Sequence, residues 1–273
     1  MSVPRPQGLK GAVEQHWNAE TCGTRGVATL DRKAFFDQIE CERYKWEPYI
    51  RTFAQFQQGR GKKLLEIGVG AGTDFVNWVR NGAQAVGIDL TEAAVDLTRE
   101  RLALEELSAD VMRGDAECLP FESDSFDIVY SYGVLHHSPN TAEAIQEVHR
   151  VLKPGGEARI MIYHVPSCVA LMLWTIHCLL KGHPWRSPRW AVYHHLESPG
   201  TKAYTVKEAK RLFASFTAVS IRPQLGFGDL LLMRPSITYQ NWSAKLIWAL
   251  YPRWLVRLTG NRFGTGLLIE ARK

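Results

Sequence analysis

Residues Leu64-Leu65-Glu66-Ile67-Gly68-Val69-Gly70-Ala71-Gly72-Thr73-Asp74 constrain this chain more than any other stretch. An apolar run ends in three glycines at alternate positions, and a helix start follows. This is the pattern of a buried strand, a tight turn and a helix. Lacking a Cβ, Gly68, Gly70 and Gly72 let the backbone turn sharply and lie close to a ligand. A second apolar run, Ala85-Val86-Gly87-Ile88, ends in Asp89. A carboxylate there can accept from both ribose hydroxyls of a nucleoside lying across the C-terminal edge of a parallel sheet.

The acid beside the loop narrows the ligand. A dinucleotide sets its pyrophosphate on the helix N-terminus, where the dipole favours an anion. Glu66, two residues before the first glycine, suits a cationic or zwitterionic ligand. S-adenosylmethionine carries a sulfonium and an ammonium and no phosphate, so the loop favours it over NAD.

Composition excludes other classes. The net charge is +5, from 33 basic and 28 acidic residues, too small to argue for nucleic acid without a clustered patch. Cys22, Cys41, Cys118, Cys168 and Cys178 are odd in number and lack CxxC spacing. That argues against a disulfide framework or zinc site and suits a reducing cytosol. The first residues lack an apolar signal core. The longest apolar run, near 168–180, is about 13 residues, too short to span a bilayer.

Further motifs follow in order. Asp115-Ala116-Glu117-Cys118-Leu119-Pro120-Phe121 precedes Ser125-Phe126-Asp127-Ile128-Val129-Tyr130-Ser131-Tyr132-Gly133-Val134-Leu135-His136-His137, and Arg150-Val151-Leu152-Lys153-Pro154-Gly155-Gly156 comes next. Together with the glycine loop, this series resembles the class I S-adenosylmethionine-dependent methyltransferases, in particular the branch like the ubiquinone/menaquinone-biosynthesis enzymes. The resemblance covers roughly residues 60–165 and the chain end. It implies an α/β, Rossmann-like sheet of seven mostly parallel strands, the last antiparallel, with helices on both faces and a helical cap.

The periodicity places strands at 63–67, 84–88, 109–112, 126–131 and 157–163, and helices at 72–81, 91–107 and 140–151. Thr217–Arg222 and Gly266–Ala271 supply the last two strands. Residues 1–30 read as a loose arm and 31–58 as helical, broken at Pro48; together, 1–58 form an N-terminal arm and lid. The cofactor core is 59–165, a substrate cap 166–204, and the rest of the core 205–273. Thr205 and Glu208 form a capping box for a helix near 206–214. Residues 225–262 are too long for a hairpin loop and read as an insertion with at least one helix. Arg234, Lys245, Arg253, Arg257 and Arg262 stand there against Asp229 alone, a net +4.

The resemblance assigns Glu66, Gly68, Gly70, Gly72 and Thr73 to the methionine side of the cofactor, Asp89 to the ribose, and Leu90, Asp115 and Ala116 to the adenine. Tyr132 falls near the sulfonium, and Trp17 and Tyr44 on the segment that covers the cofactor. Methyl transfer from a sulfonium needs alignment and, for some acceptors, a proton acceptor. His136, His164 and His195 are the candidate bases, with Tyr132 beside them. No metal is required. The two apolar segments, 169–180 and 225–262, suggest a hydrophobic small-molecule acceptor. They either pack as a lid or make peripheral membrane contact. Two rival readings remain: a non-catalytic scaffold subunit with the same fold, and a nicotinamide-dependent oxidoreductase.

Overall fold

The computed structural model describes residues 8–24, 29, 31–232 and 251–273. Seven strands form one sheet: β1 Lys63–Ile67, β2 Gln84–Asp89, β3 Asp110–Arg113, β4 Phe126–Tyr132, β5 Leu152–Tyr163, β6 Ala218–Gln224 and β7 Gly266–Arg272, in the spatial order β3-β2-β1-β4-β5-β7-β6. β1 pairs in parallel with β2 and β4, and only β7 runs antiparallel, between β5 and β6. The order reverses direction at β1, so the crevice at a topological switch point opens beyond the ends of β1 and β4.

The pleat explains the layering. Successive residues of β1 face opposite sides. Leu65 and Ile67 join Val129, Ile160, Ile145 and Phe213 on one side, while Leu64 joins Ile128, Phe75, Trp78 and Phe53 on the other. The helices α4 Thr73–Arg80 and α5 Glu92–Leu104 follow β1 and β2, and α6 Thr141–Val151 leads into β5. Each starts on a defined signal. Gly72 has φ +73°, the Thr91 hydroxyl accepts from Ala94 N, and Asn140 accepts from Glu143 N. The capping box at Thr205 and Glu208 forms at the start of α9, Val206–Leu212.

Two features depart from what the sequence led one to expect. The N-terminal arm contains a helix, α1 Gly8–Ala19, with Val13 its one buried side chain. Its weak apolar stripe and lack of a cap residue hide it, because contacts to the core hold it rather than its own periodicity. β5 begins at Leu152, five residues before the expected start, after pairing Phe126 with Leu152 and shifting register before Ile128. The 225–262 insertion holds a turn within 226–232 and, as expected, a helix, α10 Arg253–Leu258; residues 233–250 lie outside the described residues. The other helices before the core, α2 Arg32–Trp46 and α3 Tyr49–Ala54, part at Pro48. The cap is a helical hairpin, α7 Cys168–Trp174 continued by a π-helical turn to Leu179, then α8 Pro188–His195.

Candidate active site

The glycine loop is held shut by its neighbours. Gly68, Gly70 and Gly72 all have positive φ, and a Cβ on Gly68 would lie 2.2 Å from Val134 Cγ2. Gly70 N donates to Asp89 Oδ2 at 3.1 Å, while Asp89 Oδ1 accepts from Thr91 N and Thr91 Oγ1. Asp89 is therefore fixed at the C-terminal end of β2 with its carboxylate against the loop. Cys22 of the N-terminal arm sits across the loop, 3.8 Å from where a Gly70 Cβ would stand.

Beneath the loop lies a buried ionic network. Asp74, in the first turn of α4, accepts two bonds from Arg43 at 2.9 and 2.5 Å, and one each from Tyr44 and Tyr130 hydroxyls. Burial would push this carboxyl up, but the Arg43 guanidinium and the two phenols hold it below its ordinary value. Arg43 also lies 5.0 Å over the Tyr132 ring. The Tyr132 hydroxyl donates to Glu47 at 3.0 Å, and Tyr49 donates to the same oxygen at 2.5 Å. Tyr44 thus belongs to the network supporting the loop, and Thr73 accepts there from Arg101.

Glu66 is the exception in this well-satisfied region. Its side chain is buried at 3% exposure, and Oε2 has no hydrogen-bond partner. Burial pushes its carboxyl well above the ordinary range, Asp74 and Asp89 add to the effect, and Arg43 opposes it. A buried carboxylate oxygen without a donor is costly unless a ligand supplies one. An ammonium group beside the loop would satisfy it.

The far end of the expected nucleoside site meets α1. Lys10 Nζ donates to Asp115 and Glu117, each at 2.6 Å. Ala116 packs on the core beside them, and the Leu90 carbonyl accepts from Arg113. Further along α1, Trp17 packs edge-on against His137, with ring centres 5.2 Å apart. The arm helix therefore spans from the Asp115 end to the histidines.

At the end of β4 the two histidines take different roles. His136 is fully buried, neither ring nitrogen has a partner, and its ring lies 3.9 Å from that of Tyr163. Burial, then the neighbouring His137 and Lys202, push its pKa well below the ordinary value. His137 Nδ1 is fixed by the Ser198 hydroxyl at 2.8 Å and that of Thr201 at 3.1 Å. Its Nε2 lies 3.3 Å from Glu197 Oε2, without hydrogen-bond geometry. The other oxygen of Glu197 accepts from the Tyr163 hydroxyl at 2.7 Å. Burial opposes its ionisation, yet His137 and then Tyr163 hold the Glu197 carboxyl below its ordinary value. Glu197 itself has φ +54°, a strained conformation for a residue with a side chain.

Donor atoms of His136, His137 and Glu197 lie within 4.8 Å of one another. They form an acid–base cluster, and the same donor types can also hold a divalent metal. The other candidate bases lie elsewhere. His164 bonds the Gly264 carbonyl through Nδ1 at 2.9 Å, and His195 stacks on His177 in the cap at 3.9 Å. The sequence reading passed over Arg43, Asp74, Tyr163 and the pairing of His137 with Glu197. Only the Glu197-Ser198-Pro199-Gly200-Thr201 string offered a signal, as an unusually polar loop.

Residues 65–160 match a family described as a methyltransferase domain. The phthiotriol/phenolphthiotriol dimycocerosates methyltransferase of Mycobacterium tuberculosis is 40% identical over 110 residues, 40% of each chain. The chain thus aligns with about two fifths of that relative's length. The biotin biosynthesis bifunctional protein BioHC of Cellvibrio japonicus is 36% identical over 98 residues, 36% of this chain and 19% of the other. Among solved structures, the [4+2]-cyclase SpnF shares the fold with TM-score 0.58 and 15% identity, covering 100% of this chain and 98% of that one. Phosphoethanolamine N-methyltransferase 2 of Haemonchus contortus, in complex with phosphomonomethylethanolamine and S-adenosylhomocysteine, gives 0.55 and 21%, covering 78% and 49%. Residues 65–160 are thus similar to a methyltransferase domain, and the chain shares its fold with solved methyltransferases.

Proposed function

We propose that this chain methylates a hydroxyl group on a hydrophobic, lipid-like acceptor. The observation that carries the cofactor half is the buried Glu66 carboxylate, whose Oε2 has no donor, beside the positive-φ glycine loop. In this reading Glu66 receives the ammonium of S-adenosylmethionine, Asp89 the ribose hydroxyls, and Asp115 with Leu90 and Ala116 the adenine. When bound, the cofactor supplies an activated methyl group on a sulfonium, already an excellent leaving group. No metal or covalent intermediate is required by that chemistry.

The protein's own part is alignment and proton removal. His137 is the base in this proposal, in place of His136, His164 or His195. Ser198 and Thr201 hold one ring nitrogen, which turns Nε2 toward the cluster. Nε2 takes the acceptor's hydroxyl proton as the oxygen attacks, and Glu197 stabilises the imidazolium that forms. Tyr163 keeps Glu197 in place, and His136 packs behind both. Trp17 covers His137 from the arm and excludes water. Tyr132 shapes the sulfonium side through its bond to Glu47.

The Mycobacterium tuberculosis relative, by its name a methyltransferase of phthiotriol/phenolphthiotriol dimycocerosates, supports a lipid-like acceptor. A cytoplasmic enzyme working at a membrane surface fits that acceptor; no helix among the described residues is long and apolar enough to cross one. The likeness to a cyclase is a reminder that fold alone does not set the reaction. Calorimetric titration with S-adenosylhomocysteine, with NADH as control, is the test. Binding of the first alone is expected. Binding of NADH alone, or of neither, overturns the reading, the first in favour of an oxidoreductase and the second in favour of a scaffold subunit.

A further inference from the structure

The cap hairpin is rooted in the acid–base cluster and ends in an apolar tip. It leaves β5 just past Tyr163, runs out along α7 and the π-helical turn, and returns along α8 to Glu197. The Tyr163–Glu197 hydrogen bond closes its base. The outgoing helix from 168 to 179 is about 18 Å long at 1.5 Å per residue, and near its far end His177 stacks on His195, two residues before Glu197. Val169, Leu173, Cys178, Ala191 and Val192 fill the hairpin's own core, and the Trp174 indole donates to the Arg186 carbonyl across it.

The tip itself is exposed and is not covered by any element among the described residues. Leu180 and Trp185 are each 75% exposed, and Leu179 lies exposed beside them. Lys181 and Arg186 flank these side chains; Arg189 nearby is already paired with Glu208. A second apolar group, Trp254, Leu255 and Leu258, stands exposed on α10 with Arg257. The turn at 226–232 ties α10 to the hairpin. Asp229 accepts from Val169 N at the start of α7, and the Arg253 guanidinium donates to the Leu231 carbonyl.

Charge is divided as sharply as polarity. Residues 166–264 contain 13 basic and 3 acidic residues, a net +10, whereas the rest of the chain has 20 basic and 25 acidic, a net −5. Large exposed apolar side chains flanked by cations complement an anionic lipid leaflet, where the rings and aliphatic tips enter the headgroup boundary and the cations meet phosphates.

We propose that the hairpin tip at 179–186, with the exposed face of α10, docks this protein on an anionic lipid leaflet. The docked hairpin then leads from the leaflet to the His137–Glu197 cluster. The role of this path rests on the lipid-like acceptor proposed above; the docking itself is tested separately.

The full chain is sedimented with vesicles of phosphatidylcholine alone and of equal parts phosphatidylcholine and phosphatidylglycerol, at low and high salt. Binding is expected to the anionic vesicles only, falling with salt. Leu180→Glu and Trp185→Glu each lower it tenfold or more, and Lys181→Glu lowers it about fivefold or more. S-adenosylhomocysteine affinity, measured on the same proteins, stays within twofold and reports that each variant is folded. Absence of vesicle binding, or binding indifferent to Leu180→Glu and Trp185→Glu, overturns the proposal. So does a concentration-dependent dimer abolished by those variants, which would show that a second copy covers the face. Loss of docking with cofactor affinity retained leaves the methyltransferase reading standing, while a protein that docks but never binds S-adenosylhomocysteine loses that reading alone.

Discussion

At the glycine-loop edge the buried polar groups are nearly all tied down: Asp74 accepts four bonds, and Asp89 three. Across the histidine cluster, the cap hairpin buries its apolar side chains along its own seam and leaves Leu180 and Trp185 exposed. In the proposed reading, one region is preorganised for a ligand of fixed shape, and the single unmet carboxylate oxygen, Glu66 Oε2, receives the ligand's charge. The other presents surface to something outside the chain. A cofactor used in every turnover rewards rigidity, because little ordering is left for binding to supply. An apolar acceptor needs an adaptable route instead.

The comparison can be broken first where its energy is greatest. Asp74→Ala strands the Arg43 guanidinium without its anion and removes acceptors from Tyr44 and Tyr130. A loss of about 3–5 kcal/mol in urea unfolding is expected. A loss under 1 kcal/mol would show that the network does not brace the loop. Next comes the cluster between the two regions. Glu197→Gln keeps the shape and removes the charge behind His137, so turnover of labelled S-adenosylmethionine should fall about a hundredfold. S-adenosylhomocysteine affinity should stay within twofold. Unchanged turnover removes Glu197 from the mechanism, and the same assay on His137→Ala and His136→Ala decides which imidazole serves.

Asp89→Ala loses the acceptor of the Gly70 N–H together with the proposed ribose contact. Calorimetry should find S-adenosylhomocysteine affinity weaker than micromolar; retained micromolar binding would detach Asp89 from the ribose. The smallest and most diagnostic change is Glu66→Gln. Its folded carboxyl titrates well above the ordinary 4.5, so the unfolded chain releases this proton first as pH rises. Ionisation of Glu66 therefore costs the ligand-free fold stability above about pH 4.5. The Glu66→Gln variant should melt higher than the parent at neutral pH, by an amount corresponding to about 1–2 kcal/mol. The difference should vanish on acidification, and the variant should bind S-adenosylhomocysteine about tenfold more weakly. A variant that melts lower at neutral pH would mean that Glu66 already has a partner in the free protein.

Much of the loop edge is legible in the sequence because its signals are local. Strand, turn and helix follow one another within eleven residues from Leu64 to Asp74, and Asp89 ends the next strand. β1, β4 and β7 are near-continuous buried runs, as strands covered on both faces must be, and the Thr91 and Thr205 caps announce their helices. The arm helix gives no such sign, since Lys10 and Trp17 hold it through contacts with residues more than a hundred positions away.

By itself, then, the sequence determined the strand and helix order, the glycine loop, the carboxylates at the ends of β1 and β2, and the basic aromatic character of the late segments. Those depend on neighbours along the chain and on periodicities of two and of 3.6 residues. Only the tertiary structure decided that Arg43 meets Asp74, that Glu66 Oε2 is left without a donor, and that His137 rather than His164 or His195 faces Glu197. His137 and Glu197 lie sixty residues apart, on the β4 edge and at the root of the cap. No spacing rule joins them, because their approach is set by how the hairpin packs back on the end of β5.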